Sequence, residues 1–262
     1  MSNIKIKNLQ FSYKKTQIFQ GLTFSLKKDK TLSIIGASGS GKTTLLKILS
    51  GELDFLGDVR INDKKVSKID FQKLDLDIAV VYKDYNFVCK TVKDELVYYL
   101  KKAFVQIEEV KRRIKDLNNF FDIKDLLNKS VQDLTISDRV LIKILSLALL
   151  KPSYLAIDNL LTDLYPRTKV LLLNYLNSNN ILLINVTSDM EEVLYTDYVL
   201  CLYDGISAID GKTLDVLGNE RILKRLGFSL PFMVDLSLQL KDYGLIDKVY
   251  LNKESMVKDL WK

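Results

Sequence analysis

An α/β fold, built on a mostly parallel sheet covered by helices on both faces, is what this sequence predicts. Three observations carry that reading. Apolar runs of strand length alternate with stretches of helical periodicity along most of the chain. A glycine-rich turn, Gly36 to Gly41, joins one such run to one such helix. Residues 4–26 differ: they form short β-rich runs in rough alternation between polar turns, which points to a small antiparallel sheet of their own.

The runs of that small sheet are Ile4 to Leu9, Phe11 to Tyr13 and Leu22 to Leu26. Thr31 to Ile35 then reads as a buried strand, followed by the glycine-rich turn and a helix from Lys42 to Leu49. Further strands are predicted at Val59 to Asn62, Ile78 to Tyr82, Tyr154 to Asp158, Ile181 to Thr187 and Val199 to Tyr203. Helical periodicity covers Val92 to Lys102, Glu108 to Asn119, Ser137 to Leu150 and Thr168 to Leu176. Residues 84–135 contain no convincing strand, so a helical insert is expected over about 84–150. Beyond about Gly218 the chain reads as a tail. There Phe232, Leu236, Leu240 and Tyr243 fall on one helical face, which either packs on the chain's own body or contacts another subunit.

Composition excludes several classes. With 262 residues, 47% hydrophobic and 27% charged, the chain can bury a full α/β core. Its net charge of +6 comes from scattered lysines and arginines, which reads as a solvated basic surface rather than a nucleic-acid patch. The most apolar window, Val140 to Leu150, is interrupted by Lys143, so no transmembrane span is expected. The opening MSNIKIKNLQ lacks the apolar core of a signal peptide, and the expected location is cytoplasmic. Cys89 and Cys201, with no CxxC spacing, read as small buried hydrophobes. There is no histidine, which excludes histidine acid–base catalysis and most zinc sites.

Gly36-Ala37-Ser38-Gly39-Ser40-Gly41-Lys42-Thr43 satisfies GxxxxGK[ST], with Thr44 following in the first helical turn. Small residues let successive backbone N–H groups wrap phosphates at a helix N-terminus. Lys42 supplies charge to the β- and γ-phosphates, and the Thr43 hydroxyl is a Mg²⁺ ligand. A carboxylate at the end of another buried strand is needed to hold that ion, and Asp158, closing Tyr154-Leu155-Ala156-Ile157-Asp158, supplies it. The expected ligand is a nucleoside triphosphate with Mg²⁺.

With those motifs placed, residues 1 to about 216 resemble the ATPase subunits of ABC transporters. The tail, GFSLPFMVDLSLQLKDYGLI and then YLNKESMVKDLWK, resembles the C-terminal extension of energy-coupling factor transporter ATPases. The resemblance implies an ABC ATPase domain over 1–217 and an extension over 218–262. It also implies ATP as ligand, with Tyr13 placed where the family sets an aromatic ring against adenine; a core tyrosine is the competing reading. Such ATPases work in pairs on a membrane-embedded scaffold, with a separate substrate-binding membrane subunit, to take up vitamins or metal ions. A second, more typical ATPase subunit and a position on the cytoplasmic face of the membrane are therefore expected, and no nucleic acid.

Measured against that family the phosphate loop is intact and most other motifs are altered. Lys83 stands in place of a loop glutamine. Leu134-Thr135-Ile136-Ser137-Asp138 replaces the LSGGQ signature, with Ile136 where a glycine would let backbone approach the partner's nucleotide. Asn159 replaces the glutamate base, and an amide can orient a water but cannot take its proton. Tyr165 replaces an aspartate at the dimer contact, and Ser188 replaces the switch histidine. The expectation is retained nucleotide binding and weak or absent hydrolysis at this chain's own site, unless Asp163 or Asp189 serves as base. Two other functions compete: an inactive regulatory or structural ATP-binding module, and an ABC-type ATPase acting on nucleic acid.

Overall fold

The computed structural model describes residues 2–67 and 77–260; the last two residues of the expected extension lie outside them. In chain order the elements are β1 (Ser2–Tyr13), β2 (Thr16–Lys27), β3 (Leu32–Gly36), α1 (Lys42–Leu49), β4 (Leu56–Ile61), β5 (Lys64–Lys65) and β6 (Ile78–Val81). Three helices follow, α2 (Val92–Lys102), α3 (Ile107–Phe121) and α4 (Ile136–Ala148), then β7 (Tyr154–Asp158), α5 (Pro166–Ser178), β8 (Leu182–Val186), β9 (Tyr198–Tyr203) and β10 (Ile206–Lys212). The chain closes with α6 (Thr213–Leu217), α7 (Glu220–Arg225), α8 (Phe232–Asp242) and α9 (Lys253–Leu260).

Two sheets organise these elements. An antiparallel sheet has the order β2-β1-β4-β5, and a larger one has the order β10-β9-β3-β8-β7-β6. In the larger sheet every pairing is parallel except β9 with β10. Local chemistry explains the boundaries. β3 and β7 are buried throughout, as strands covered on both faces must be, whereas β2 alternates buried and exposed residues toward its end. Thr91 and Thr135 cap α2 and α4: each hydroxyl accepts the N–H of the aspartate three residues on and donates to that aspartate's carboxylate. Pro166 starts α5, where its missing N–H costs nothing.

One core cluster lies between the two sheets, where Ile4, Phe19 and Leu26 meet α1 through Leu45 and Leu46. A second lies on the other face of the larger sheet, under α2, α4 and α5. A third joins Ile35, Val199 and Cys201 of the sheet to Leu223 and Val234, which fastens the C-terminal segment to the body. Among the described residues no helix is long and apolar enough to cross a membrane.

Four sequence expectations need correction. Ile4–Leu9 and Phe11–Tyr13 are one strand, bent by register shifts around Leu9, with Asn8 in the left-handed region at φ 49°. β10 was not expected, because as an edge strand it has no regular inward face. Cys201 is buried as expected, but Cys89 is only partly buried, on the surface loop before α2. The apolar face of the tail is split. α8 turns Val234 and Ser237 inward, Leu236 and Leu240 pack on Ile246, Tyr250 and Met256, and Phe232 and Tyr243 are left 68% and 81% exposed.

The helices of residues 92–148 are held by a buried ion pair. Lys143 on α4 donates to Glu95 on α2 at 2.9 Å, to the Asn86 carbonyl at 2.9 Å and to the Tyr99 hydroxyl at 3.1 Å. The second Glu95 oxygen accepts the N–H groups of Val88 and Cys89, each at 2.9 Å. Burial would push Lys143 down, but its bonds to Glu95 and Tyr99 outweigh it and raise the ammonium above the usual lysine range. Glu95→Ala strands the Lys143 charge and should cost about 3–5 kcal/mol in urea unfolding. Adding Lys143→Met should recover most of that loss, and an equal loss in single and double variants would contradict the account.

Candidate functional site

The site forms where β3 ends and α1 begins. β3 runs between β8 and β9, so the loop leaving it emerges from the interior of the larger sheet. Gly41 is the N-cap of α1 with φ 97°, and a β-carbon there would come within 2.8 Å of Ile18 Cγ2 and 2.9 Å of Phe19 Cζ. A β-carbon on Gly36 would lie 2.6 Å from the Leu202 carbonyl oxygen. Only glycine fits either position. α1 has no side-chain cap and no acidic residue in its first turn, which leaves its positive end open to an anion.

Lys42 folds back over this loop, donating to the carbonyls of Gly36 at 2.7 Å and Ala37 at 2.8 Å. Burial pushes its ammonium below the usual lysine range, and the Asp158 carboxylate opposes that. Among the described residues the buried Ser40 hydroxyl has no hydrogen-bond partner. A poorly solvated cation and an uncapped helix are what an arriving polyphosphate would satisfy.

Asp158, at the end of β7, accepts the Thr43 hydroxyl at 2.7 Å. Burial pushes Asp158 above the usual carboxylate range, against the Thr43 hydrogen bond and the Lys42 charge. Among the described residues no cluster of three histidine, cysteine or acidic groups could hold a metal alone. A hydroxyl and one carboxylate suit Mg²⁺, which completes its shell with phosphate oxygens and water.

These groups line a cleft of about 490 Å³, together with Ser38, Gly39 and Thr44 of the loop and helix. Its far wall is Lys83, Asn159 and Ser188. Asn159 holds φ 55° while its N–H donates to the Val186 carbonyl at 2.8 Å, and the Ser188 hydroxyl reaches the Asn159 side-chain oxygen at 3.4 Å. Among the described residues Asp158 is the only carboxylate that lines this cleft. Asp163 and Asp189 are absent from its walls, and the Asp189 carboxylate instead caps the Glu191 N–H at 2.9 Å.

Other predicted site residues lie elsewhere. Tyr13 is exposed, edge-on to Phe11 at 4.8 Å between ring centroids, so it is no core tyrosine, and it does not line the cleft. Leu134, Thr135, Ile136, Ser137 and Asp138 form the start of α4, and none reaches the cleft. Ser137 is buried and accepts the Tyr165 N–H at 3.1 Å, which ties Tyr165 to the signature segment. Ile136 and Tyr165 are 70% and 59% exposed.

Sequence reasoning missed three residues. Ile18 lines the cleft but reads as ordinary β-strand alternation. Glu192 is buried beneath Thr187, accepting that hydroxyl at 2.8 Å and Lys169 at 2.9 Å. Its neighbour Glu191 accepts the Phe232 N–H at 2.6 Å, linking the segment after Ser188 to α8. Nothing in Met190-Glu191-Glu192-Val193 separates the buried carboxylate from the exposed one.

A β-sheet core with this loop, carboxylate and helical region defines an ATP-binding cassette. The ABC transporter family model matches residues 19–162, more than half of the chain, and the chain belongs to that family. It is 27% identical to the energy-coupling factor transporter ATP-binding protein EcfA of Malacoplasma penetrans, over 98% of this chain and 93% of that protein. It is 28% identical to the corresponding EcfA1 of Mycoplasma mobile, over 99% of this chain and 96% of that one. Among solved structures, cbiO1 from Clostridium perfringens, described as part of the ABC transporter complex cbiONQ, shares the fold at a TM-score of 0.73. It is 19% identical, with 93% of this chain and 97% of that chain covered. The chain is thus an ATP-binding component of a transporter, similar over nearly its whole length to energy-coupling factor ATPases.

Lys42→Ala removes one charge-assisted contact, so ATP affinity should fall by about 10- to 100-fold with the unfolding midpoint little changed. Titration with a fluorescent ATP analogue measures it, and an unchanged affinity would rule out the cradle.

Proposed function

We propose that this chain is the ATP-binding subunit of an energy-coupling factor importer, drawing a vitamin or metal ion into the cell, whose own hydrolytic site is degenerate. The observation that carries the reading is the cleft's composition. Its phosphate side is complete, with Lys42, Thr43 and Asp158 in place, while its far wall offers Lys83, Asn159 and Ser188. Bound Mg²⁺ supplies charge neutralisation on the phosphates, and Thr43 and Asp158 would be its protein ligands. Asn159 can donate or accept a hydrogen bond to a water but cannot hold its proton, and Ser188 is a short neutral hydroxyl. In this reading the exposed Tyr13 ring stacks on adenine.

The pairing with a second, more typical ATPase subunit is supported by what the cleft lacks. The signature segment at the start of α4 lies away from this chain's own phosphate loop, so it is available to a nucleotide held by a partner. Exposed Ile136 and Tyr165 beside it offer an apolar contact. The ATPase domain spans residues 1–217, with a helical insert over about 84–150, and residues 218–262 are an extension carrying the exposed Phe232 and Tyr243 toward a subunit contact. The complex sits on the cytoplasmic face of the membrane, on a membrane-embedded scaffold with a separate substrate-binding subunit.

A positioned base is worth on the order of 10²- to 10⁴-fold. The isolated chain should therefore bind ATP yet turn it over slower than the assembled complex by about that factor. Removing the partner's catalytic glutamate should silence the complex. Rapid turnover by the isolated chain, or by the complex without that glutamate, would contradict the reading.

A further inference from the structure

Lys83 has a role that the loss of a glutamine does not describe. It lies two residues beyond β6, which pairs Val81 with Ile157 of β7 at the end of the sheet where Asp158 and Asn159 follow, and Lys83 and Asn159 line the same cleft. Its approach is fixed from below. The Tyr82 hydroxyl donates to the Glu52 carboxylate and meets the Ser50 hydroxyl at 3.2 Å, which anchors the residue before Lys83 to the end of α1. α1 is the helix that begins with Lys42, so both lysines are referenced to one rigid element.

The Lys83 side chain lines the cleft, is exposed, and makes no hydrogen bond or ion pair among the described residues. Its charge is the smallest of the influences on Asp158: burial, and to a lesser extent the Asp84 carboxylate, raise the Asp158 pKa, while the Thr43 hydrogen bond, Lys42 and last Lys83 lower it. The cleft thus carries two ammonium groups around one buried carboxylate. Lys42 already spans the loop carbonyls, whereas Lys83 lines the same cleft with no partner among the described residues.

We infer that Lys83 is a triphosphate-binding residue whose ammonium carries part of the charge neutralisation that Mg²⁺ would otherwise supply, so that this chain holds ATP with a weak dependence on divalent cation. A neutral glutamine at this position could orient a ligand to the ion but could add no charge. A lysine contributes a full positive charge and three donors on a flexible stem, which suits phosphate oxygens in the absence of a metal. Such a site favours occupancy over turnover, because an ammonium neutralises the bound nucleotide without supplying a base. The inference rests on the ATP-binding reading above and deepens it.

The test is ATP affinity of the full chain by isothermal titration, with MgCl₂ and again with excess EDTA, for the unsubstituted chain, Lys83→Gln and Lys83→Arg. The quantity read is the factor by which removing Mg²⁺ weakens binding. That factor should be about tenfold larger in Lys83→Gln than in the unsubstituted chain, the usual worth of one charge-assisted contact. Lys83→Arg should behave as the unsubstituted chain. Equal factors in all three proteins would overturn the inference while leaving the ATP-binding reading intact. No ATP binding by the unsubstituted chain under either condition would overturn both. Because Lys83 is exposed and unbonded, neither substitution disturbs the fold, and the unfolding midpoint checks this.

Discussion

The turn that carries β3 into α1 is the constraint on which the rest of the site depends. It must pass Ile18 and Phe19 on one side and the Leu202 carbonyl on the other, with no room for a side chain at Gly36 or Gly41. Once that path is forced, α1 starts with its N–H groups unpaired, Lys42 reaches back over the loop and Thr43 meets Asp158 at 2.7 Å. This last bond ties the start of α1, which follows β3, to the end of β7, although β8 lies between β3 and β7 in the sheet. The core beneath, from Leu45 and Leu46 to the antiparallel sheet, fixes the direction of α1 and hence the cradle.

Binding and chemistry separate cleanly in such a site. Holding a triphosphate calls for donors and positive charge, and a backbone loop with one lysine supplies both. Hydrolysis calls in addition for a proton acceptor within reach of the attacking water and for groups that stabilise the developing charge. The first set is local to one turn and survives changes elsewhere. In the proposed reading the second set comes from the ends of other strands, at Asn159 and Ser188, where a single substitution can remove it without disturbing the cradle. The buried Glu192, bonded to Thr187 and Lys169, keeps the strand end that carries Ser188 in place even though no histidine is there to position.

What was legible in the sequence follows from how local each signal is. α1, α2 and β7 begin and end where expected, because glycine, a threonine cap and a run closing in Asp158 are written into adjacent residues. The phosphate loop was legible for the same reason. The far wall of the cleft is assembled from chain segments remote from one another, so its residues were reached only through the family's order of motifs. β10 and the split face of α8 were illegible because edge pairing and the inward turn of Val234 depend on tertiary contacts with Val199 and Ile35. The buried Glu95–Lys143 pair was hidden too: Lys143 showed only as a charge interrupting an apolar helix, and its partner lies on a different helix.

The central claim is that this chain keeps ATP intact in a working cradle. The direct measurement is the identity of the nucleotide it retains. The purified chain is incubated with ATP and Mg²⁺ for many turnover times of an ordinary ATPase, freed of unbound nucleotide, denatured, and its contents resolved by ion-exchange chromatography. The account predicts bound nucleotide at close to one equivalent, recovered as ATP. Recovery chiefly as ADP would show that a base acts in this cleft and would contradict it.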